Sequence, residues 1–422
     1  MSEHWFITLR NWGAFFAAVM LFKYYVFLLV SPFYDVKEAR RRRRVAALHL
    51  TAPYRPLVSV IVPAWNEEVG ILRTVRSLLA STYPNIEIVV VNDGSTDRSH
   101  AKMQAYLEEL SHANRDHHGK IRYFYKPNGG KGHTLNFGIE RSRGQIVVTM
   151  DADSVFEPTA IANLVEYFKD PTVDAAVGNV RVATNNTLIG RIQRLEYLFG
   201  FYYKRAHSVM GAEYIYGGAC AAFRRSSTFD RIGLFDAVNK TEDIEMSLRT
   251  RYHGLKSVYA EDVVCYTEGA STVRGLINQR LRWKKGRFDT FGKYRRMFFS
   301  LDRRHNPALS WFVLPYCLLA EFQLLFEPIG FTLLLAYSFL SGDYISLALG
   351  VLFVAITYIV VSIFSHQKLQ LGVLALFPFT WPLFYFLVWV EYVVLLKSLA
   401  MILRGGEIEW QSWERRGVEE GA

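Results

Sequence analysis

Hydrophobic and polar residues are distributed very unevenly along this chain. Residues 12–30 are apolar and aromatic apart from Lys23. Long apolar runs return near the end of the chain, at residues 309–340, 344–364 and 372–403. Each run is long enough, at about 1.5 Å per helical residue, to cross a hydrocarbon layer of about 30 Å. Because the residues between them carry ordinary charge density, the pattern predicts a soluble domain held between membrane helices.

In that middle part, short β-branched runs alternate with segments of helical periodicity. Strands are predicted at residues 58–62, 86–91, 121–125 and 145–150, and helices at residues 67–79 and 134–141. Apolar strands separated by helices indicate an α/β fold with a mainly parallel sheet covered on both faces. Ligands of such sheets bind at the carboxyl ends of the strands.

The first apolar run is predicted to be a retained membrane anchor. The arginine run at residues 40–44 follows the apolar residues, whereas a signal peptide carries its charge before them. The positive-inside rule places these arginines in the cytoplasm, next to anionic membrane lipid. The alternative, a nuclear signal or nucleic-acid patch, is disfavoured by the adjacent span, so no nucleic-acid partner is expected.

The C-terminal runs predict at least three spans and raise a parity problem. Three crossings from a cytoplasmic domain would leave the arginines within residues 404–416 outside, against the positive-inside rule. A re-entrant or in-plane stretch would resolve this, and the run that contains Glu321 and Glu327 is the candidate. Glu391 and Lys397, inside the last run, either face a partner or snorkel to the surface.

Composition sets two further limits. The 422 residues include 49 Lys and Arg against 39 Asp and Glu, a net charge of +10, and 51% are hydrophobic. That apolar fraction excludes a disordered tail or a highly charged nucleic-acid binder. Cys220, Cys265 and Cys317 lie far apart without metal-ligand spacing, so neither a disulfide framework nor a zinc site is expected.

Polar loops follow the predicted strands. They place five side chains at strand ends: Asn66, Glu67, Asp93, Asp151 and Asp153. An Asp-x-Asp at a strand end directs carboxylates toward a divalent cation, and such a cation typically bridges a diphosphate. The glycine-rich residues 126–133 fit neither the phosphate loop nor the dinucleotide fingerprint, but they can bring Lys131 and backbone amides close to a nucleotide.

Seven short motifs occur in order between the membrane regions. They are Val62-Pro-Ala-Trp-Asn-Glu67, Asp93-Gly-Ser95, Asn128-Gly-Gly-Lys131 through Asn136, Asp151-Ala-Asp153, Gly217-Gly-Ala-Cys-Ala-Ala-Phe-Arg-Arg225, Thr241-Glu-Asp243 and Gln279-Arg-Leu-Arg-Trp283. With them the chain resembles the processive, membrane-embedded glycosyltransferases of family 2, which include the synthases of cellulose, chitin, hyaluronan and poly-N-acetylglucosamine. The resemblance covers the central domain and the membrane plan. It implies a GT-A-like mixed sheet inserted between transmembrane helices.

The resemblance also implies roles on the donor side. Asp93 would hold the uridine part of a UDP-sugar, in a pocket lined by three further residues: Asn66, Glu67 and Lys131. Asp151 would contact the nucleotide and the metal, and Asp153 would bind Mg2+ or Mn2+. The metal would offset the charge that builds on the departing diphosphate.

On the acceptor side, Asp243 would be the general base, and its place at the start of a helix favours the ionised carboxylate. Gln279 and Arg282 would bind the nucleotide diphosphate, and Trp283 would stack on the acceptor sugar. Three further residues would border the acceptor: Gly217, Gly218 and Glu242. The implied reaction is a single displacement that inverts an α-linked donor to a β-linked product.

Other residues are interpreted as structural. Glu245 and Asp262 lie outside the Thr-Glu-Asp motif and are interpreted as solvated or capping groups, while Trp65, Phe223 and Cys220 are expected to pack in the interior. The chain also departs from the poly-N-acetylglucosamine group near the acceptor side. It has Lys284-Lys-Gly286 where many members have Ala-x-Gly, and Thr267-Glu-Gly-Ala270 where Thr-Glu-x-Pro is usual.

Together these patterns predict an inverting, processive glycosyltransferase of the plasma or inner membrane, with its catalytic domain in the cytoplasm. The predicted units are an anchor with the basic run (1–50), a GT-A domain (51–305), membrane and interface helices (306–404) and a tail (405–422). The favoured activity is polymerisation of a β-linked polysaccharide from UDP-N-acetylglucosamine onto a growing acceptor, with translocation across the membrane.

Three alternatives stay open at this point. The first is a hyaluronan or cellulose-type synthase. The second is a non-processive transferase that adds one sugar to a lipid carrier, which the Gln279–Trp283 motif disfavours. The third is a transport or scaffold subunit without activity, which the intact acidic residues disfavour. The need for a small accessory membrane protein as a partner is not decided by the sequence.

Overall fold

The structure, a computed structural model, describes residues 11–12, 15, 22, 24–48, 53–112, 118–183, 187–365, 376–404 and 417–418. Residues 24–30 are helical and belong to the predicted anchor, whose residues 13–14, 16–21 and 23 lie outside the described residues. The beginning of the last apolar run and most of the C-terminal tail also lie outside them.

Eight strands form one mixed sheet in the order β3-β2-β1-β4-β7-β6-β8-β5. The strands are β1 (Val58–Ala64), β2 (Ile86–Asp93), β3 (Ile121–Lys126), β4 (Ile146–Thr149), β5 (Ser154–Phe156), β6 (Ala175–Ala183), β7 (Ala221–Arg224) and β8 (Ser257–Glu268). The four predicted strands correspond to β1–β4, which pair in parallel. Strand β7 runs antiparallel to both β4 and β6. The predicted mixed α/β sheet is therefore confirmed.

Helices cover both faces of this sheet, and further helices follow the sheet in the chain. They are α1 (Phe33–Ala46), α2 (Ile71–Leu79), α3 (Ser99–His112), α4 (Lys131–Arg141), α5 (Ala160–Phe168), α6 (Leu188–Met210), α7 (Phe229–Ile232), α8 (Glu242–Tyr252), α9 (Val273–Lys293), α10 (Leu314–Leu324), α11 (Glu327–Ser341), α12 (Ile345–Phe364) and α13 (Thr380–Leu403). The predicted helix at 67–79 begins later, at Ile71, because residues 67–70 form a turn closed by the Gly70 N–H on the Glu67 carbonyl.

Successive residues of the central strands supply two separate hydrophobic cores, since side chains alternate between the faces of a strand. Val60 and Val62 pack with Ile71 of α2 on one face. Ile61 packs with Leu135 of α4 on the other. This burial on both sides explains why the central strands are nearly continuous apolar runs.

The basic run lies on α1, which packs on the domain beside the membrane helices. The Tyr34 hydroxyl donates to the Tyr259 carbonyl at 2.8 Å. Arg41 stacks on the Tyr167 ring at 4.1 Å. Three of the five arginines in the run thus contact the folded domain, namely Arg41, Arg42 and Arg44, while Arg40 and Arg43 are exposed.

Among the described residues, two helices are long and apolar enough to cross a membrane by length and composition, at Leu347–Phe364 and Thr380–Leu403. The predicted first C-terminal run is a pair of helices, α10 and α11, bent by 52° at a short break. A third span is present only if this bent pair counts as one.

Candidate active site

The parallel strands bring most of the predicted site residues to one edge of the sheet. Strands β1, β2 and β4 run in the same direction, so the loops after Ala64, Asp93 and Thr149 emerge together. Strand β7 begins at Ala221 opposite Thr149 and runs the other way. Its preceding Gly217-Gly218 loop therefore reaches the same edge.

Asp93 is buried and organises the glycine-rich loop. Its two carboxylate oxygens accept the N–H groups of Gly129 and Gly130 at 2.9 and 2.8 Å, and it pairs with the Lys126 ammonium. A carboxylate offers about four acceptor positions, so one is left for a ligand. The sequence analysis did not identify Lys126, although it lies in the same glycine-rich segment.

Asn66 connects the first two polar loops. It has a positive φ of 54°, a conformation that asparagine tolerates better than most residues. Its N–H donates to Ser95 Oγ at 2.9 Å, and its side-chain oxygen accepts the Thr96 N–H at 2.8 Å. The Glu67 N–H donates to Ser99 Oγ at 2.8 Å, which fixes the buried Glu67 beside the same loop.

Lys131 is the centre of the acidic part of the site. Its ammonium lies 2.6 Å from the Asp151 carboxylate and 3.3 Å from that of Glu242. Burial by itself lowers the pKa of Lys131, but attraction to Asp151, Glu242 and Asp243 outweighs it and raises the pKa above its usual value. Lys131 is therefore a permanent cation among three carboxylates from two different elements.

Glu242 is buried, with 7% of its side chain exposed. Burial raises its pKa, the Lys131 charge lowers it and the Asp243 charge raises it, with a net rise. Arg282 also lowers this pKa, so its positive charge acts on the same cluster. The structure thus brings the Thr-Glu-Asp motif, the Asp-x-Asp motif and Arg282 into one electrostatic unit.

Gly218 lies directly against the Lys131–Asp151 pair. A Cβ atom at this position would be 2.7 Å from Lys131 Nζ and 3.5 Å from the Asp151 carboxylate oxygens. Its neighbour Gly217 has a φ of +76°, which disfavours other residues. The two glycines leave an open backbone surface next to the charged cluster.

Asp153 faces β8 as well as the site. Its carboxylate accepts hydrogen bonds from Ser154 Oγ at 3.1 Å and Thr267 Oγ1 at 3.3 Å. No group of three or more His, Cys, Asp or Glu side chains in the described part of the chain is arranged to hold a metal ion. Two carboxylates still fit a hard cation that takes its remaining oxygens from a diphosphate and water.

Asp243 lies in the first turn of α8, where backbone N–H groups stabilise a carboxylate. Its Oδ1 accepts the Ile244 N–H at 2.8 Å. Glu245, one turn along, is fully buried and accepts the Tyr294 hydroxyl and the Lys293 ammonium, both at 2.6 Å. The interpretation of Glu245 as a solvated or capping group was therefore wrong: it is a buried ion-pair acceptor that joins α8 to α9.

Helix α9 carries the Gln279-Arg-Leu-Arg-Trp283 motif and packs closely on the start of α8. A Cβ at Gly286 would lie 2.0 Å from Thr241 Oγ1, so only glycine allows this approach. Gln279 is buried, and its Oε1 accepts no hydrogen bond from any described residue. The Trp283 ring is half-buried, 5.3 Å from the Arg280 guanidinium.

Phe223 and Cys220 pack in the interior as predicted, whereas Trp65 is only partly buried. Phe223 and Cys220 are 1% and 2% exposed, and all three cysteines are free. Asp262 accepts the Tyr167 hydroxyl at 2.7 Å and pairs with Arg42 of the basic run. It holds α1 on the domain and lies outside the cluster around Lys131.

Comparisons with known proteins identify the family of this chain. Residues 59–230 match the family described as Glycosyl transferase family 2. Residues 146–402, more than half of the chain, match the one described as Glycosyl transferase family group 2.

Two relatives and one solved structure illustrate the likeness. A poly-beta-1,6-N-acetyl-D-glucosamine synthase from Staphylococcus epidermidis is 26% identical over 376 residues, 86% of this chain and 88% of the relative. The enzyme of that name from Staphylococcus aureus is 31% identical over 232 residues, 54% of each chain. The mannosyltransferase PcManGT from Pyrobaculum calidifontis, solved with GDP-Man and Mn2+, has a TM-score of 0.59 at 22% identity, over 94% of this chain and 99% of that one, so it shares the fold. The chain belongs to glycosyl transferase family 2 and is a glycosyltransferase.

Proposed function

We propose that the protein is a membrane-embedded, inverting polysaccharide synthase that transfers N-acetylglucosamine from its UDP derivative to a growing β-linked chain. The observation that carries the proposal is the charged cluster of Lys131, Asp151 and Glu242, with Asp243 beside it, at the ligand-binding edge of the sheet. The synthase relatives, one of them aligned over 88% of its length, support the choice of polymer.

On the donor side, Asp93 positions the uridine pocket together with Asn66. Its remaining acceptor position would take a uracil or ribose hydrogen bond, since the other positions hold the glycine-rich loop in place. The Lys131 ammonium, at the end of the glycine-rich loop, would neutralise negative charge on the phosphates of the donor. Arg282 would contact the departing diphosphate with planar N–H donors.

Asp151 and Asp153 would hold Mg2+ or Mn2+ through their carboxylates. The bound cation would offset the negative charge that accumulates on the leaving diphosphate. Because Asp151 also pairs with Lys131, the same carboxylate would link the cation to the fixed ammonium.

On the acceptor side, Asp243 would remove the proton from the attacking hydroxyl. Its position in the first turn of α8 places the carboxylate beside backbone N–H groups that favour a negative charge. The open backbone at Gly217 and Gly218 would admit the acceptor sugar, and Trp283 would stack on its apolar face. Glu242 would border this subsite, and Gln279 would offer its unpaired oxygen to a substrate hydroxyl.

We also propose that the enzyme spans the plasma or inner membrane several times, with the catalytic domain and the C-terminus both in the cytoplasm. The Gly417 N–H donates to Glu268 Oε2 at 3.1 Å, and Val418 is buried, so residues 417–418 contact the catalytic domain. An even number of crossings must therefore separate them from it. Helices α12 and α13 supply two, and the bent pair α10–α11 would be re-entrant, which resolves the parity problem.

A protease-cleavable tag after residue 422 tests this topology. In sealed inside-out membrane vesicles, externally added protease should remove the tag and degrade the catalytic domain together. If the tag is protected while the domain is digested, the C-terminus lies on the opposite side and the proposed topology is wrong.

Anionic lipid is the proposed membrane partner of α1. Four of its residues recur at helical spacing on the exposed face: Phe33, Val36, Arg40 and Arg43. Apolar side chains followed by cations suit the boundary between acyl chains and phosphate headgroups. The exposed face also leaves room for a small accessory membrane protein.

The proposed donor and product are tested together with isolated membranes. We expect polymer from UDP-N-acetylglucosamine but not from UDP-glucose or UDP-glucuronate, digestion of that polymer by a hydrolase specific for β-1,6-linked N-acetylglucosamine, and loss of synthesis after chelation with EDTA. A product with a single sugar attached to lipid would refute the proposal that the enzyme is processive, and would favour transfer of one sugar to a lipid carrier.

A further inference from the structure

Helix α9 is held on two opposite faces. On one face, Gly286 lies against Thr241, the residue before the acidic pair of the candidate site, and the Asn239 amide donates to Thr290 Oγ1 at 3.1 Å. The other face carries three cations at helical spacing: Arg280, Lys284 and Arg287. Residues at such spacing lie along one side of a helix.

The three cations pair with three carboxylates from three other helices. Lys284 Nζ lies 2.6 Å from Glu321 of α10 and 2.9 Å from Glu391 of α13. Arg280 lies 2.8 Å from Glu391, and it also pairs with Glu196 of α6. Arg287 completes the chain at 3.3 Å from Glu321.

This ionic network is balanced in charge and is buried at its centre, whereas Glu196, Arg287 and Glu391 at its edges are partly exposed. The side chains of Lys284 and Arg280 are 3% and 10% exposed. Buried pairs of this kind contribute little net stability compared with well-packed apolar residues, but the loss of one partner leaves a charge without compensation. Their best-supported use in proteins is to fix one relative arrangement of the elements they join.

The neighbouring Lys285 provides a contrast on the same helix. It pairs only along α9 itself, with Asp289 at 2.6 Å, and that carboxylate is half exposed. Two adjacent lysines thus differ in what they connect: Lys284 joins α9 to two membrane-proximal helices, whereas Lys285 joins α9 to itself.

We infer that Lys284 and Glu391 are positioning residues for glycosyl transfer, which hold the helix bearing Gln279, Arg282 and Trp283 in one register between the Thr-Glu-Asp motif and the membrane helices. The inference rests on the proposed function for the acceptor role of that helix. Gly286 leaves no space between α9 and Thr241. A displacement of α9 at its contacts with α10 and α13 would therefore also displace Thr241 and the two acidic residues that follow it. Neither residue touches substrate in this role.

The test compares four variants of the full-length enzyme purified in detergent: Lys284→Met, Lys284→Arg, Glu391→Gln and the control Lys285→Met. UDP release is followed at varied UDP-N-acetylglucosamine, with product length, UDP affinity and thermal unfolding measured in parallel. For Lys284→Met we expect turnover at saturating donor to fall about tenfold or more, because displacements of about 1 Å carry such costs. Its donor KM and UDP affinity should change much less than its turnover, because most of the proposed donor-side residues lie on other elements and only Arg282 of α9 is proposed to contact the diphosphate.

The remaining variants make the role specific. Lys284→Arg should recover most of the turnover, and Lys285→Met should match wild type. Combining Lys284→Met with Glu391→Gln should cost less than the product of the two single losses, because both changes remove the Lys284–Glu391 contact and only Glu391→Gln weakens the contact with Arg280.

Equal behaviour of Lys284→Met and Lys285→Met would overturn the inference, as would a loss confined to donor KM or UDP affinity. If Lys284→Met does not yield folded protein, Glu391→Gln is judged by the same criteria, and unchanged turnover in it overturns the inference. If the wild-type enzyme does not use UDP-N-acetylglucosamine, the proposed donor is refuted rather than the role of Lys284. The variants are then compared with the nucleotide sugar that the wild-type enzyme does use.

Discussion

Replacing Asp243 with asparagine is expected to lower the turnover of the enzyme by about 10³-fold, within the range of about 10² to 10⁴ that general-base catalysis contributes. Asparagine keeps the size and the Ile244 N–H contact of the aspartate but cannot accept the acceptor's proton. UDP affinity should change little, since Asp243 is assigned to the acceptor. Polymer formed from nucleotide sugar by isolated membranes, together with UDP binding to purified protein, measures both quantities.

Asp230→Asn is the matched control, because Asp230 is exposed on α7 and the change removes the same charge. The control should synthesise polymer at the wild-type rate. Undiminished synthesis by well-expressed Asp243→Asn would remove Asp243 from the mechanism and leave Glu242, its neighbour in the same motif, as the remaining acid there.

Replacing Lys131 with methionine is expected to lower kcat/KM by about 100-fold or more, the scale of removing one fixed electrostatic partner from an active site. The change leaves Asp151 and Glu242 without the ammonium that lies between them. The pKa of Glu242, already raised by burial, should rise further once the Lys131 charge is lost. Steady-state kinetics with the donor varied measures the loss.

Lys169→Met removes a lysine whose partner, Glu166, is half exposed, and such a surface pair is worth about 0–1 kcal/mol. It should leave kcat/KM unchanged. A Lys131→Met enzyme with wild-type kcat/KM would show that the charged cluster is structural.

Much of the fold could be predicted because the central strands are buried on both faces. Val60, Ile61 and Val62 are all fully buried, so the strand is a continuous apolar run that sequence periodicity detects. Strands β5–β8 were not predicted individually. Strand β7 is only four residues long and runs antiparallel, so neither its length nor a flanking helix distinguishes it in the sequence.

The site was predictable as a set of loops, because parallel strands with polar ends must bring those ends to one edge. The contacts between loops were not. The spacing of these residues in the sequence does not indicate that Lys131 would pair with both Asp151 and Glu242. Nor does it indicate that Lys126 would pair with Asp93. These pairings depend on side-chain directions that are fixed only after the sheet and α8 pack together.

Charged residues on apolar segments were the least predictable. The sequence did not decide whether Glu391 faces a partner or extends to the membrane surface. Its partners are Arg280 and Lys284, more than 100 residues earlier in the chain. Glu245 was misjudged for the same reason, since two of its partners, Lys293 and Tyr294, lie at the end of another helix. Long-range ion pairs leave no periodic signal in either partner's neighbourhood.

The place of Glu391 within α13 has a consequence for how the protein is made. An isolated helix with a charge near its centre enters a bilayer at a cost of about 3 kcal/mol on insertion scales. The cations that neutralise this carboxylate belong to the catalytic domain, which leaves the ribosome first and folds as a unit. We therefore expect α13 to meet a preformed binding surface as it inserts, so that the catalytic domain acts as the assembly template for the helices that follow it.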